Sequence, residues 1–586
     1  MPTARPARLA LCALRPRLLR ASSCSAILAL LGACYSGVSA FDPEAEGGGP
    51  GGDDPSGADD GPSDPDGIDV SESYVPEAGQ IRLLSADEYK NTIRDLLGVE
   101  VSSELQYGEV GSGYDNSGEG QLGESLFSIL YTEAQRVAEQ YVATELAGAF
   151  DCFEPGSATG AACVETIVDG LGRRAFRRPV DPQTRQQLLD FVADATPKTD
   201  EPDQVMELLV TRLLMSPRFL YRTEVGQNLA DDPSLALLDP YERASLVSYT
   251  LVGSMPDEPL LADAEADRLD LPRIREHVRR LMDTDAGRAQ LVKFFEQWLR
   301  VSELEAMARA PEDYAKFVSA EQAQTLRDEF NAFIDHVVLD DAGTLDDLLT
   351  RNVTWVNQHT APLYGGSSQS DALEPLTLDA QQRGGVLTLA SVMAVHSSSA
   401  EIHRDKPIRR GLLIQSQLLC GEIGLPSGID VQSAAAEVLD EVPNFDELTT
   451  REQLELIMNQ DQLCVDCHQQ FMPYGYLWGN FDALGQYQIQ FGDRPIDAAV
   501  EGLLLDGTAR SYGGIMELVP DLAGSDQVAR CVTTNVAQYA SGQAGGELVD
   551  FMAEQITPVF VGNDRDLLQL FEDILTAPEL YIREGR

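Results

Sequence analysis

Two cysteines three positions apart, followed at once by a histidine, stand near the last fifth of this chain: Cys464-Val465-Asp466-Cys467-His468. C-x-x-C-H is the attachment signature of c-type haem. Thiols at this spacing can add to the two vinyl groups of one porphyrin, and the adjacent imidazole then lies under the iron as proximal ligand. The chain has 9 Cys and 6 His in 586 residues, and random placement at that density gives roughly 0.001 such motifs. Two other chemistries compete. A redox disulfide of the thioredoxin kind would need a βαβ setting, which the sequence lacks. Half a zinc site would need further ligands nearby, yet the nearest other cysteines, Cys420 and Cys531, are distant and unclustered.

The sixth iron position is less constrained. Met472 follows His468 by one helical turn and would stay on the proximal side, so it is rejected. Met393 and His396 share the stretch Leu387–His396 and are the first candidates for a distal ligand, with His403, Met516 and Met552 behind them and an open position as the alternative. His277, His336 and His359 read as surface or boundary histidines.

The start of the chain fits an extracytoplasmic setting. Arg5, Arg8, Arg15, Arg17 and Arg20 precede a short apolar stretch, Ala21–Leu31, and then Leu31-Gly32-Ala33-Cys34. This reads as a secretory signal, too short for a stable span, with Cys34 in a lipoprotein cleavage box. Between Tyr35 and Gln80 there are 12 acidic residues and no Lys or Arg, among repeated Gly, Pro, Asp and Ser. Such a segment cannot bury enough apolar surface to offset its chain entropy, and it reads as a tether. The expected location is the periplasm or the outer-membrane or cell surface, with the lipid as the only membrane attachment. A net charge of −52 argues against nucleic-acid partners. It reads as a soluble, self-repelling surface or, alternatively, as attraction to a basic partner protein or to cations such as calcium.

After the tether the signals are mainly helical. Leu291, Phe294, Phe295, Trp298 and Leu299 recur at offsets of three and four, and so do Leu326, Phe330, Phe333, Ile334, Val337 and Val338. Both stripes read as core. Short β segments are expected around 483–510, near the motif. Ser216–Arg222 and Ala577–Arg583 echo each other, Pro and Arg matching in register. An exported chain is oxidised. Cys152 and Cys163, bracketing a Gly/Ser/Ala loop over 156–162, are expected to pair, and Cys420 and Cys531 are left to pair with each other.

Several segments together resemble a known family: Leu84–Gly98, Arg174–Pro179, Ser216–Arg222, Ser254–Asp257, Phe294–Leu299, Arg383–Thr388, Pro407–Gly411, and the haem segment with Pro473, Gly475 and Asn480–Gly485. The chain is similar, over about 81–585, to the multidomain cytochrome c-like proteins of planctomycetes and myxobacteria, built of stacked domains of unknown function. It departs from them at Phe471-Met472, where Met-Asp is common, at Gly479, where Glu is common, and at Gln486, where Arg is common. The resemblance implies a mainly α, multidomain protein with a small cytochrome c-like region. The expected division is 1–33 signal, 34–80 acidic linker, helical domains at 81–150, 151–225 and 233–365, a haem-binding domain at 380–490, and a C-terminal domain at 491–586.

One covalent haem c and no catalytic constellation predict a membrane-anchored electron carrier or redox subunit acting with a redox partner protein. The length of the chain keeps a peroxidase-like haem enzyme as an alternative, since a plain carrier needs only about 100 residues. A non-enzymatic surface protein is the reading in which C-x-x-C is merely structural.

Overall fold

The computed structural model describes residues 74–102, 105, 107, 113–116, 122–144, 158–198, 201–304, 320–341, 343–397, 404–423, 444–459 and 462–586. Cys34, Cys152, His403, the signal and most of the tether lie outside them. The fold is mainly α, with many short helices and only two- and three-stranded antiparallel sheets. None of the described helices is long and apolar enough to cross a membrane. The chain forms two compact units that it enters more than once. One comprises residues 303–329 and 352–521 and contains the C-x-x-C-H motif; the other comprises the described residues up to 302 together with 330–351 and 522–586.

In the second unit the segments that carry the family resemblance have direct structural duties. Leu84–Gly98 is a capped helix, Ala86–Leu97: the Ser85 hydroxyl takes the Glu88 amide, the Glu88 carboxylate takes the Ser85 amide, and Gly98 ends the helix at φ 67°. Arg177 is buried and donates to the carbonyls of Arg218, Phe219 and Tyr221 at 2.8, 3.1 and 2.7 Å. One guanidinium thus fixes the backbone of the next segment of the family resemblance, Ser216–Arg222. The expected stripe on Asp285–Trp298 is core: Phe294 stacks on Tyr114 at 5.6 Å and meets Phe571 edge-on at 5.0 Å.

The second stripe also faces inward, on the helix Ala320–Ile334. Beyond it, however, Asp335–Asp340 is π-helical, so Val337 and Val338 are buried in a wider turn than the spacing implied. The two echoed segments fold alike. Pro217–Leu220 and Pro578–Tyr581 are single helical turns opening on proline, and they lead into the strands Tyr221–Glu224 and Ile582–Glu584. His277 is a correction. It is buried, with Nε2 2.8 Å from Asp263 Oδ2, because it falls on the apolar stripe of Ile274, Val278 and Leu281.

The cysteines divide as oxidised and reduced. Cys163, Cys420 and Cys531 are disulfide-bonded. The loop expected over 156–162 is helical from Ala158, the start of Ala158–Phe176, which carries Cys163. Three of its residues, Ala158, Ala161 and Ala162, are alanines, which suit a helix better than a turn. Cys464 and Cys467 stand as thiols.

Candidate functional site

The motif forms one short helix, Gln462–His468. Positions i, i+3 and i+4 share a helix face, so Cys464, Cys467 and His468 point the same way. All three are buried, while Asp466 between them is exposed. Tight turns follow: the amides of Gln470 and Phe471 return to the carbonyls of Cys467 and His468. Pro473 then opens the next helix, Met472–Tyr476. The Phe471 ring packs 5.1 Å from the imidazole. Burial pushes the His468 pKa down to about 4, so the ring is neutral at pH 7 and has a lone pair to offer a metal. Two thiols and a neutral imidazole on a single buried face are a donor set that fits covalent haem.

Close backbone approach sets the place of this segment. The helices Pro407–Leu412 and Met472–Tyr476 cross at Gly411 and Gly475. A Cβ on Gly475 would lie 1.8 Å from the Pro407 carbonyl oxygen, and one on Gly411 would lie 2.2 Å from that of Phe471. Only glycine permits the crossing. Gly475→Ala is therefore expected to destabilise this unit by about 3 kcal/mol, the upper end of overpacking penalties. Urea midpoints would measure it, against Gly524→Ala, where an added Cβ meets nothing within 4 Å and little change is expected.

Two buried arginines, whose role the sequence did not disclose, hold the loop after the motif. Arg410 donates to the Phe481 and Asp482 carbonyls at 2.9 and 2.5 Å, and burial pulls its pKa down to about 10. Arg383 donates to the Gly485, Leu363 and Thr388 carbonyls, and its guanidinium lies over the rings of Tyr364 and Phe481 at 4.6 and 5.1 Å. Both belong to segments of the family resemblance. What the sequence hid was that they donate to backbone oxygens.

The first distal-ligand candidates lie on one element of the same unit. Ala390–Val395 carries Met393, and His396 caps it; both are buried. Met393 packs on the Gly485 turn, where a Cβ would come within 3.0 Å of its sulfur. Met516 lies on Ile515–Gly524 in this unit, whereas Met552 belongs to the other. Met472 begins the helix just after the motif and is buried there. Gly479 leaves a Cβ position already 3.2 Å from Ile496 and from the Tyr476 carbonyl, too tight for the family's common Glu without a local shift.

Four family models match in tandem, each described as a protein of unknown function: PSD3 (DUF1587) over 82–144, PSD5 (DUF1595) over 163–224, PSD4 (DUF1592) over 238–365, and PSCyt3 (DUF1588) over 383–490. The last contains the motif helix, and its short name points to cytochrome-like character. No curated protein and no solved structure matches the chain.

Proposed function

We propose that this chain, which carries in tandem the four domains of the planctomycete-type PSCyt/PSD multidomain family, is an exported, membrane-anchored c-type haem protein acting in electron transfer. One observation carries the reading: Cys464, Cys467 and His468 share a buried helix face, with both sulfurs reduced and the imidazole neutral.

A haem held there supplies one-electron chemistry at its iron. The protein's part is to hold and shield it. The two thiols would carry the thioether bonds, His468 would be the proximal ligand, and Met393 or His396 would be the distal one. The arginines at 383 and 410 fix the following loop from behind. Cys34 would bear the lipid, the acidic stretch to residue 80 would serve as a tether, and the net charge of −52 would draw a basic redox partner.

The test is a pyridine haemochrome assay on mature protein made alongside a haem-attachment system in an oxidising compartment. One covalent haem per chain is expected. Colourless protein with intact fold would overturn the proposal and leave the non-enzymatic surface reading. Five-coordinate iron that turns over peroxide would move it to the peroxidase-like alternative.

A further inference from the structure

A carboxyl group is buried in the motif-bearing unit with no ion-pair partner in contact among the described residues. Glu329, on the helix Ala320–Ile334, has no exposed surface. Its Oε1 accepts from the Thr354 hydroxyl at 2.8 Å and from the Tyr364 hydroxyl. Its Oε2 has no hydrogen-bond partner among the described residues. A carboxylate so placed has lost the water around both oxygens, and what it meets instead are the Thr354 and Tyr364 hydroxyls and the Ser391 amide. The charged and titratable groups facing it are Tyr364 and, across the Tyr364 ring, the Arg383 guanidinium. Burial outweighs them and raises the Glu329 pKa to about 7.

The same tyrosine also reaches the helix of the distal-ligand candidates. Its hydroxyl, while donating to Glu329, accepts from the Ala390 amide at 2.7 Å. Ala390 is the first residue of the short helix that carries Met393 and ends at His396. Arg383 donates to the Gly485 carbonyl, on the turn against which Met393 packs. Glu329 is therefore linked toward the helix of both distal-ligand candidates through the hydroxyl of half-buried Tyr364 and the guanidinium of buried Arg383.

We propose that Glu329 is a proton-binding site coupled to the oxidation state of the haem. This rests on the function proposed above. As an external one-electron donor reduces the bound iron, Glu329 takes one proton from solvent, and its carboxylate becomes a carboxylic acid. When the electron leaves to an acceptor, the proton returns to solvent. The sign follows from charge: reduction removes a positive charge from the neighbourhood, which makes the protonated acid more favourable. Low pH therefore favours the reduced state, and the midpoint potential falls as pH rises.

The experiment is potentiometric titration of the haem-loaded protein from pH 5.5 to 8.5, compared with Glu329→Gln and Tyr364→Phe. The wild type is expected to lose about tenfold in its reduction equilibrium across neutrality, about 59 mV for a one-electron couple. Glu329→Gln keeps the shape and the acceptor oxygen and should flatten that step. Tyr364→Phe removes a hydrogen bond that favours the carboxylate and should move the step to higher pH. A wild-type potential that does not respond to pH, or a step that persists unchanged in Glu329→Gln, overturns the coupling.

Infrared difference spectra of the haem-free protein give a separate readout. A carboxylic-acid carbonyl band that titrates near neutrality and is missing in Glu329→Gln is expected. If the chain takes up no haem, the coupling falls together with the function it rests on, and this band still tells whether Glu329 titrates. If haem is bound and the band is absent, the inference alone fails.

Discussion

Replacing Cys464 and Cys467 together by serine is expected to take covalently bound haem from one per chain to none, while the helical fold persists. The thioether bond needs sulfur, and a serine hydroxyl at the same place does not add to a vinyl group. Each serine leaves a buried hydroxyl where a thiol stood, at a cost on the order of 1–3 kcal/mol if it finds no partner. That burden is distributed along one short helix, so circular dichroism should change little even though the colour is lost. The single variants should each retain one attachment, with a shifted haemochrome band. His468→Ala should keep both thioethers but lose the proximal ligand, altering the spectrum of native protein and not that of the denatured haemochrome. The sharpest contrary result would be a double-serine protein with undiminished covalent pigment.

How far these features could be read from the chain depended on the range of the contact. The motif was legible because its chemistry is local: three side chains within five residues, brought onto one face by helix geometry alone. The aromatic stripe of Leu291, Phe294, Phe295 and Trp298 was legible for the same reason, since apolar periodicity reports burial directly. His277 went wrong although a signal existed. Four arginines and a glutamate around it, Arg273, Arg275, Glu276, Arg279 and Arg280, make the segment look wet, yet it lies three residues after Ile274 and four before Leu281. The widened turn at Asp335–Asp340 carries no mark in the residue types.

Glu329, Arg383 and Arg410 were hidden for a deeper reason. A charged residue reads as surface unless its partners are known, and most of theirs lie 20 or more residues away. Gly475 stood among the family's residues, but only the crossing with Pro407–Leu412 explains why a side chain is excluded there.

Glu224→Gln is the substitution expected to cost the second unit most. In the strand pair Gln80–Leu83 with Tyr221–Glu224, Arg82 lies directly opposite Arg222. Like charges so placed repel, and both are buried. A third guanidinium comes from the C-terminal strand, where Arg583 donates to Glu224 Oε2 at 3.0 Å. Arg82 lies 3.4 Å from the same carboxylate and Arg222 lies 3.8 Å from its other oxygen, with Glu88 3.4 Å from Arg222. Three cations thus depend on two anions, and Glu224 is the one that all three share. Both echoed segments end in an arginine that reaches it, so the repeated pattern has one focus.

Burial alone would raise the Glu224 pKa, but Arg82, Arg222 and Arg583 hold it below the usual carboxylate range. Breaking such a buried pair on one side costs about 3–5 kcal/mol, and that is the loss expected by urea unfolding at pH 7. Because the folded carboxyl has the lower pKa, it stabilises above the unfolded value and loses that contribution as pH falls through the folded one. The gap between wild type and Glu224→Gln should therefore be full at pH 7 and narrow steadily below about pH 4. A gap under about 1 kcal/mol at pH 7, typical of an exposed pair, would mean that water reaches these arginines and that the buried charge cluster does not hold the strands together.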